Sequence, residues 1–389
     1  MRLRLLMLSL AVLYPQIALS QVPGLSPSSP WALDGYVKYL ASAQSPEHGE
    51  HALDQLVHQR LNLEYRFSAQ LRVNIGMRNR LFVGDALALP GYAEQVERDR
   101  GYAKLSRNWI ASDNAVLNSQ FDRAYVHWER GEMQYRLGRF RVNWSMATLW
   151  NPNDIFNAYS IYDFDYEERA GSDAVQISRQ VDFASSLDLV VSPTRDSDET
   201  SAAVRYLGNH HGWDWQTMVG KASRDSMVGA AMAGDILGAG VRSEVSYFEP
   251  IASLNTEREA NSSIIATIES DYSIASRRNW LIRAALLYIS NPQPAEDNGA
   301  TLISSARTLS FATWTTYIDA GFDFNELSRL NTSLVYYDDG SWFAGVTAAY
   351  SLADNWIASA VVQHFDGRAS SVFGQSANTT LNLQLKWNF

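Results

Sequence analysis

The sequence predicts an all-β protein: a single closed antiparallel transmembrane β-barrel of about 18 strands, with about 16 as the alternative count. Three observations carry this. Several segments alternate apolar and polar residues for longer than a soluble strand runs. The connections between the segments are alternately short and long, as in a barrel with short turns on one side of a membrane and long loops on the other. The chain also opens with an export signal and has no cysteine.

The first 20 residues have a basic start at Arg2 and Arg4 and an apolar run over 5–13 interrupted only by Ser9. Ala18-Leu19-Ser20 supplies small residues for cleavage before Gln21. This is a secretory signal peptide, too short to span a membrane. Residues 21–30, rich in Pro and Ser, read as an extended arm, and 31–389 as the barrel. The absence of Cys closes the lipoprotein route and rules out disulfides and thiolate metal sites. A formal charge of −10 argues against a nucleic-acid partner. After the signal peptide no apolar run approaches the roughly 18 residues of a membrane helix.

The strands follow in order. Segment 31–40 is the first candidate. From Val57 to Phe67 the odd positions are mostly apolar and the even ones polar; from 69 to 83 the pattern repeats after a turn near Ser68. Such alternation gives a strand one apolar and one polar face. Further strands are expected at 120–129, 132–142, 173–179, 184–192, 201–207, 213–222, 227–233 and 236–248. The remainder are 262–271, 279–290, 307–320, 328–337, 342–350, 356–364 and 379–389. Segments 31–40 and 227–233 are the weakest, and losing both leaves 16. Long external connections are expected at 41–52, 84–118, 143–172, 249–261, 291–306 and 366–377. Tyr65, Phe67, Trp128, Trp213, Trp215, Phe324, Tyr350, Trp356, Trp387 and Phe389 all fall beside the short turns, where an interfacial girdle belongs.

The last strand alternates Leu381, Leu383, Leu385 and Trp387 with Asn382, Gln384, Lys386 and Asn388, and the chain ends on Phe389. This resembles the closing strand of Gram-negative outer-membrane β-barrels, in which a terminal Phe is the recognition signal for the insertion machinery. The resemblance implies an outer-membrane location and makes Phe389 the assembly signal. The architecture resembles that of porins, whose third external loop folds inward and narrows the pore. Here the third external loop is 143–172, aromatic and acidic, with Asn151-Pro152 blocking a regular helix or strand.

Two groups of side chains then become candidate pore determinants. Arg60, Arg66, Arg72, Arg78, Arg80, Arg123 and Arg136 share the polar faces of adjacent strands. On the lipid face each would cost roughly 2–4 kcal/mol at midplane, so they belong inside. Facing them, the loop would offer Asp154, Asp163, Asp165, Glu167 and Glu168, with Trp150, Phe156, Tyr162, Phe164 and Tyr166 as its aromatic lining. Basic and acidic groups across a narrow pore create a transverse field that sorts hydrated polar solutes. The bland alternatives are a structural network pairing the arginines with Glu64 and Glu132, and loop aromatics that simply pack against the wall.

No catalytic signature is present: there is no nucleophile elbow, P-loop or dinucleotide fingerprint. The paired histidines at His48/His51 and His210/His211 lack a third metal ligand. The sequence therefore predicts a non-enzymatic, cofactor-free and metal-free porin-like channel for passive diffusion of small polar solutes. Its surroundings would be outer-membrane lipid and lipopolysaccharide, and a homotrimer stays open, since trimers are common among porins. The other reading is a plugged barrel serving as an adhesin or an export accessory.

Overall fold

The computed structural model describes residues 29–157, 170–254, 261–293 and 305–389. The signal-peptide residues lie outside them, as do Tyr162, Asp163, Phe164, Asp165, Tyr166, Glu167 and Glu168. In chain order the strands are β1 (Trp31–Pro46), β2 (Ala52–Arg66), β3 (Leu71–Gly84), β4 (Ser106–Ser112), β5 (Ala115–Arg130), β6 (Met133–Phe140) and β7 (Ser172–Asp182). Next come β8 (Ser185–Ser192), β9 (Ser201–His210), β10 (Trp213–Ala222), β11 (Asp225–Ile236), β12 (Ala239–Pro250) and β13 (Ser263–Ile274). The wall finishes with β14 (Trp280–Ile289), β15 (Trp314–Asn325), β16 (Ser328–Tyr337), β17 (Ser341–Ala353), β18 (Trp356–Gly367) and β19 (Asn378–Asn388).

Neighbours in sequence pair antiparallel, except that β3 pairs with β5 and β4 lies beside β5, and β19 pairs back onto β1 to close the circuit. The seam is tight. Gly35 and Phe389 exchange backbone hydrogen bonds of 3.1 and 3.0 Å, and a Cβ at Gly35 would sit 2.9 Å from the Phe389 ring and against the Arg60 carbonyl. Eighteen strands form the circuit and β4 is additional. Closure matters because hydrocarbon offers backbone groups no partner, and a closed barrel satisfies them all. Among the described residues no helix is long and apolar enough to cross a membrane.

The alternation in the sequence becomes the two faces of the wall. Leu381, Leu383 and Leu385 are exposed, whereas Asn382 between them is buried. The same inversion runs round the circuit through Ile75, Val126, Val175, Val219, Ile268, Leu334 and Val362, all exposed on the outside. Such an apolar exterior belongs in lipid. Aromatic contacts ring its turn side, with Trp31–Tyr65, Trp128–Tyr135, Tyr206–Trp215, Trp280–Phe322 and Trp356–Trp387 centroids 4.2 to 6.2 Å apart. Two of the turns are two-residue hairpins, His211-Gly212 and Leu237-Gly238, with all four residues at positive φ. That geometry matches the strand twist, and glycine at the second position removes its steric cost.

Both weak candidates are full strands, β1 and β11, which settles the count at 18 rather than 16. Three expectations are corrected. The connection 84–118 is not a plain loop but contains the short helix α1 (Tyr92–Glu97) and β4. The strand expected at 307–320 starts only at Trp314, because Ser310 turns the chain: its hydroxyl pairs with that of Thr315 and accepts the Ala312 N–H. The strand expected at 132–142 stops at Phe140, where the chain leaves the wall.

That departure explains β4. The lower part of β5 pairs with β6, but residues 115–120 pair with β4 instead, which occupies the place β6 vacates. The join is locked by Arg139, which bonds Asp173 at 2.7 Å, Asp99 at 2.8 Å and the Ala103 carbonyl at 2.8 Å. Asp99 takes N–H groups from Gly101 and Leu105. Burial raises its pKa, but the Arg139 guanidinium and these two amides outweigh that and hold it below the usual carboxylate value.

Candidate pore lining

The inward positions fall into two chemical halves. On one side, β2 and β3 set Arg60 opposite Arg78, Arg66 opposite Arg72 and His58 opposite Arg80. Like charges facing each other across a ladder repel, so each arginine needs an acceptor. Arg60 donates to Asp122 at 2.6 Å, with both side chains sealed at 1% and 0% exposure. Arg66 pairs with Glu64 at 2.5 Å, and Arg72 reaches His127 and, at 3.2 Å, Glu129. Arg78 donates to Gln120 at 3.1 Å; Arg80 donates to Asn118 at 2.9 Å and to the Val96 carbonyl. Arg136 lies opposite His127 with its guanidinium 6.0 Å from the Phe140 ring.

Arg123 reaches this face through a β-bulge. Gly76 pairs with Arg123 but Met77 pairs with Phe121, leaving Asp122 as the extra residue. The extra residue lets Phe121 face outward while both Asp122 and Arg123 serve the polar side. Lys38 and Lys386 extend the basic half to the seam, 5.4 and 5.6 Å from the Tyr36 ring. The structure separates these arginines by exposure. Arg60 is a sealed strut, whereas Arg66 and Arg72 keep more than a third of their side-chain surface accessible.

On the other side the wall is not acidic overall but paired. Arg205 meets Asp188 at 2.7 Å, Arg283 meets Asp319 at 2.7 Å and Arg329 meets Asp323 at 2.8 Å; Arg242 bridges Asp271 and Glu269. Two carboxylates, Glu244 of β12 and Glu269 of β13, are spent on another task. Glu244 accepts the backbone N–H groups of Met146, Ala147 and Asn153 at 2.5, 2.7 and 3.1 Å. Glu269 accepts those of Thr148 and Leu149 at 3.0 Å each, and the Thr148 hydroxyl at 2.6 Å.

Residues 141–157 therefore leave β6 and rest against strands far round the circuit. Further bonds join Gln216 of β10 to the Trp144 carbonyl, Ser246 of β12 to the Pro152 carbonyl, and Arg283 of β14 to the Thr148 hydroxyl. Asn157 clasps the neck: it accepts the Val142 N–H and donates to Ala170 and Ser172. Asp154 is fully buried and accepts the Asn157 N–H at 3.0 Å. Trp150 is buried with its ring edge-on to Tyr317, and Phe156 packs edge-on to Trp144. These described aromatics are packed against the wall.

The packing has a further consequence. The inward faces of β10 to β17 are apolar near this segment, with Met218, Met227, Phe248, Ile265, Leu287, Val335, Tyr337 and Phe343 buried together with Trp144, Trp150, Phe311 and Phe373. Sequence reasoning missed Glu244 and Glu269. The available signal was a single carboxylate at inward parity in 241–247 and in 263–269, whose outward positions hold Val241, Val245, Tyr247, Ile264, Ala266 and Ile268.

No protein-family model matches the chain, and no curated protein matches it by sequence. Solved structures do match by fold. The outer membrane protein OprD from Pseudomonas aeruginosa aligns with a TM-score of 0.63 at 8% identity over 93% of this chain and 94% of its own. OccK2 (OpdF) from the same organism gives 0.59 at 9% identity over 92% and 97%. OccAB3 of Acinetobacter baumannii gives 0.56 at 10% over 92% and 99%. At such identities the likeness is one of fold. Together with the lipid-facing belt and the closed wall, it identifies the chain as an outer-membrane β-barrel of porin-like architecture.

Proposed function

We propose that this barrel is a passive channel for small polar solutes, narrowed by the loop at 143–172 and biased by the arginines of β2, β3, β5 and β6. The observation that carries it is the asymmetry of the inward face. Asp188, Glu244, Glu269, Asp271, Asp319 and Asp323 of β8 to β16 are tied to arginines or to the backbone of residues 141–157, while the opposite wall presents Arg66, Arg72, Arg78, Arg80, Arg123 and Arg136 with fewer carboxylates among them. Neutralised on one side and basic on the other, such an interior draws anionic groups along the arginine wall. Asp163, Asp165, Glu167 and Glu168 would temper that preference from the loop, and Tyr162, Phe164 and Tyr166 would shape its rim. Phe389, at the seam, would serve as the signal to the insertion machinery, and 1–20 as the cleaved signal peptide. No chemical step is required.

The test is reversal potential in a planar bilayer under a salt gradient, for the wild type and for Arg72→Gln/Arg78→Gln. An anion preference that weakens in the variant supports the reading. An unchanged selectivity, or a wild type that passes no current, overturns it. The absence of current would favour the plugged barrel, for which the buried apolar cluster round Trp144, Trp150, Phe311 and Phe373 is the supporting observation.

A further inference from the structure

The turn side of the barrel holds a cavity on its outer surface. It opens between the ends of β7, β8, β9 and β10 and has a volume of about 800 Å³. Tyr206 and Gly208 continue the outward series of Val204 on β9, and Trp215 and Trp213 continue that of Val219 on β10; both valines are exposed on the lipid side. Ser185 starts the outward series of Leu187 and Leu189 on β8. The short turns of such a barrel are periplasmic. The cavity therefore faces the periplasmic leaflet at the height of the aromatic girdle, outside the pore.

Two glycines make room for its aromatic wall. Neither Gly208 nor Gly234 has a positive φ, so neither is there to make a turn. A Cβ at Gly208 would sit 3.1 Å from the Trp215 ring, and one at Gly234 only 2.4 Å from that of Trp213. Each indole thus lies against bare backbone, and Tyr206 leans on Trp215 with centroids 5.3 Å apart. Beneath them Ser185 is 7% exposed and forms a floor.

The rim is polar. A bulge in β7 between Gln180 and Asp182 sets Asp182 opposite Ser185. The Asp182 carboxylate accepts the Ala184 N–H at 2.9 Å and the Ser185 hydroxyl, which orient it, and the residue stays exposed. His210 and His211 close the β9–β10 hairpin, edge to face with centroids 4.1 Å apart. Each imidazole has an N–H to donate whether neutral or protonated. Among the described residues these groups do not form a cluster that could hold a metal ion.

We propose that the cavity binds the headgroup of a periplasmic-leaflet phospholipid that carries a primary ammonium. The ammonium would meet the Asp182 carboxylate and the ring faces of Tyr206 and Trp215, and the phosphate would meet the imidazoles of His210 and His211. A primary ammonium has hydrogens for a carboxylate to accept, and aromatic faces attract it. An anionic headgroup fits poorly: no Arg or Lys lines the cavity, and Asp182 repels it. Arg179, opposite Leu187 on β7, has Glu132 as a carboxylate partner at 3.9 Å. The inference rests on the outer-membrane location of the barrel and not on what passes through its pore.

The experiment is native mass spectrometry of the full mature protein in detergent, titrated with dioctanoyl phosphatidylethanolamine, phosphatidylcholine or phosphatidylglycerol. Asp182→Asn and His210→Gln/His211→Gln are compared with the wild type. Trp280→Leu, in the girdle pair Trp280–Phe322 on the other side of the barrel, is the control. Gel mobility before and after boiling verifies the closed fold of each. The proposal expects the first lipid bound to be phosphatidylethanolamine, held roughly tenfold more tightly than either other lipid, as one charge-assisted contact predicts. Asp182→Asn should remove that preference, the histidine variant should weaken all three lipids, and the control should leave the first binding step unchanged. Equal or tighter binding of phosphatidylglycerol or phosphatidylcholine by the wild type, a preference that survives Asp182→Asn, or a control that loses as much as Asp182→Asn overturns it.

Discussion

Replacing Glu244 by Gln tests whether residues 141–157 are held against the wall by a charge. In the wild type one carboxylate oxygen takes the Met146 and Ala147 N–H groups and the other takes that of Asn153. Glutamine offers a single oxygen and turns an NH2 group toward at least one of those donors. One charge-assisted bond, worth about 1.5–3 kcal/mol, is lost, and the remaining two weaken by about 0.5–1 kcal/mol each as they become neutral. The gross loss is about 2.5–5 kcal/mol. Part is returned, because an amide is easier to dehydrate than a carboxylate. A net of about 2 kcal/mol remains, roughly a 30-fold rise in the detached population. Adding Glu269→Gln, which weakens the hold on Thr148 and Leu149, takes this further. The assay is single-channel recording. Both variants should show larger mean conductance and more open-channel noise than the wild type, the double variant most. A properly folded double variant whose conductance and noise match the wild type would refute the anchoring argument.

Three other outcomes follow from the same geometry. Arg60→Ala strands the fully buried Asp122 carboxylate and should cost about 3–5 kcal/mol of stability, read as a lower denaturant midpoint, whereas Arg72→Ala, at a part-exposed position, should alter ion selectivity more than stability. Gly35→Val drives a side chain into the Arg60 carbonyl and the Phe389 ring, so the seam should fail and the heat-modifiable gel band of the closed barrel should be lost; normal folding would contradict the close approach. Asp99 has a folded pKa below its unfolded value, so its stabilisation of the β4 region is full above about pH 4 and is lost as the pH falls through the folded value. Proteolysis next to Asp99 should therefore accelerate in strong acid, and in Asp99→Asn already at neutral pH; equal protection at all pH values would count against the Arg139 clasp.

Much of the wall was readable because lipid imposes a strict rule. A strand that faces hydrocarbon should be apolar at every second position; β19 obeys this through Leu381, Leu383, Leu385 and Trp387, and β2 and β3 depart from it only at Gln55, Gln59 and Asn79. The rule falters where the inner face is also apolar. Met227, Ile265 and Leu287 look like lipid contacts by composition, yet they are buried inside against residues 141–157 and 305–313. Alternation is then erased, and boundaries such as that of β15 shift. The inward parity of the β2 and β3 arginines follows from the same rule, but the sealing of Arg60 by Asp122 does not. That pair depends on a one-residue bulge that changes the phase of β5.

By itself, then, the sequence determined the closed antiparallel barrel and narrowed its strand number to 18 or 16, because both rest on local periodicity and on what hydrocarbon forbids. Only the tertiary structure decided where β6 leaves the wall, that β4 takes its place, and that Glu244 and Glu269 grip a segment about 100 residues away. Those contacts arise from closure of the barrel, which brings β6 and β12 to face one another across the interior. No periodicity in the chain records which residues will meet there.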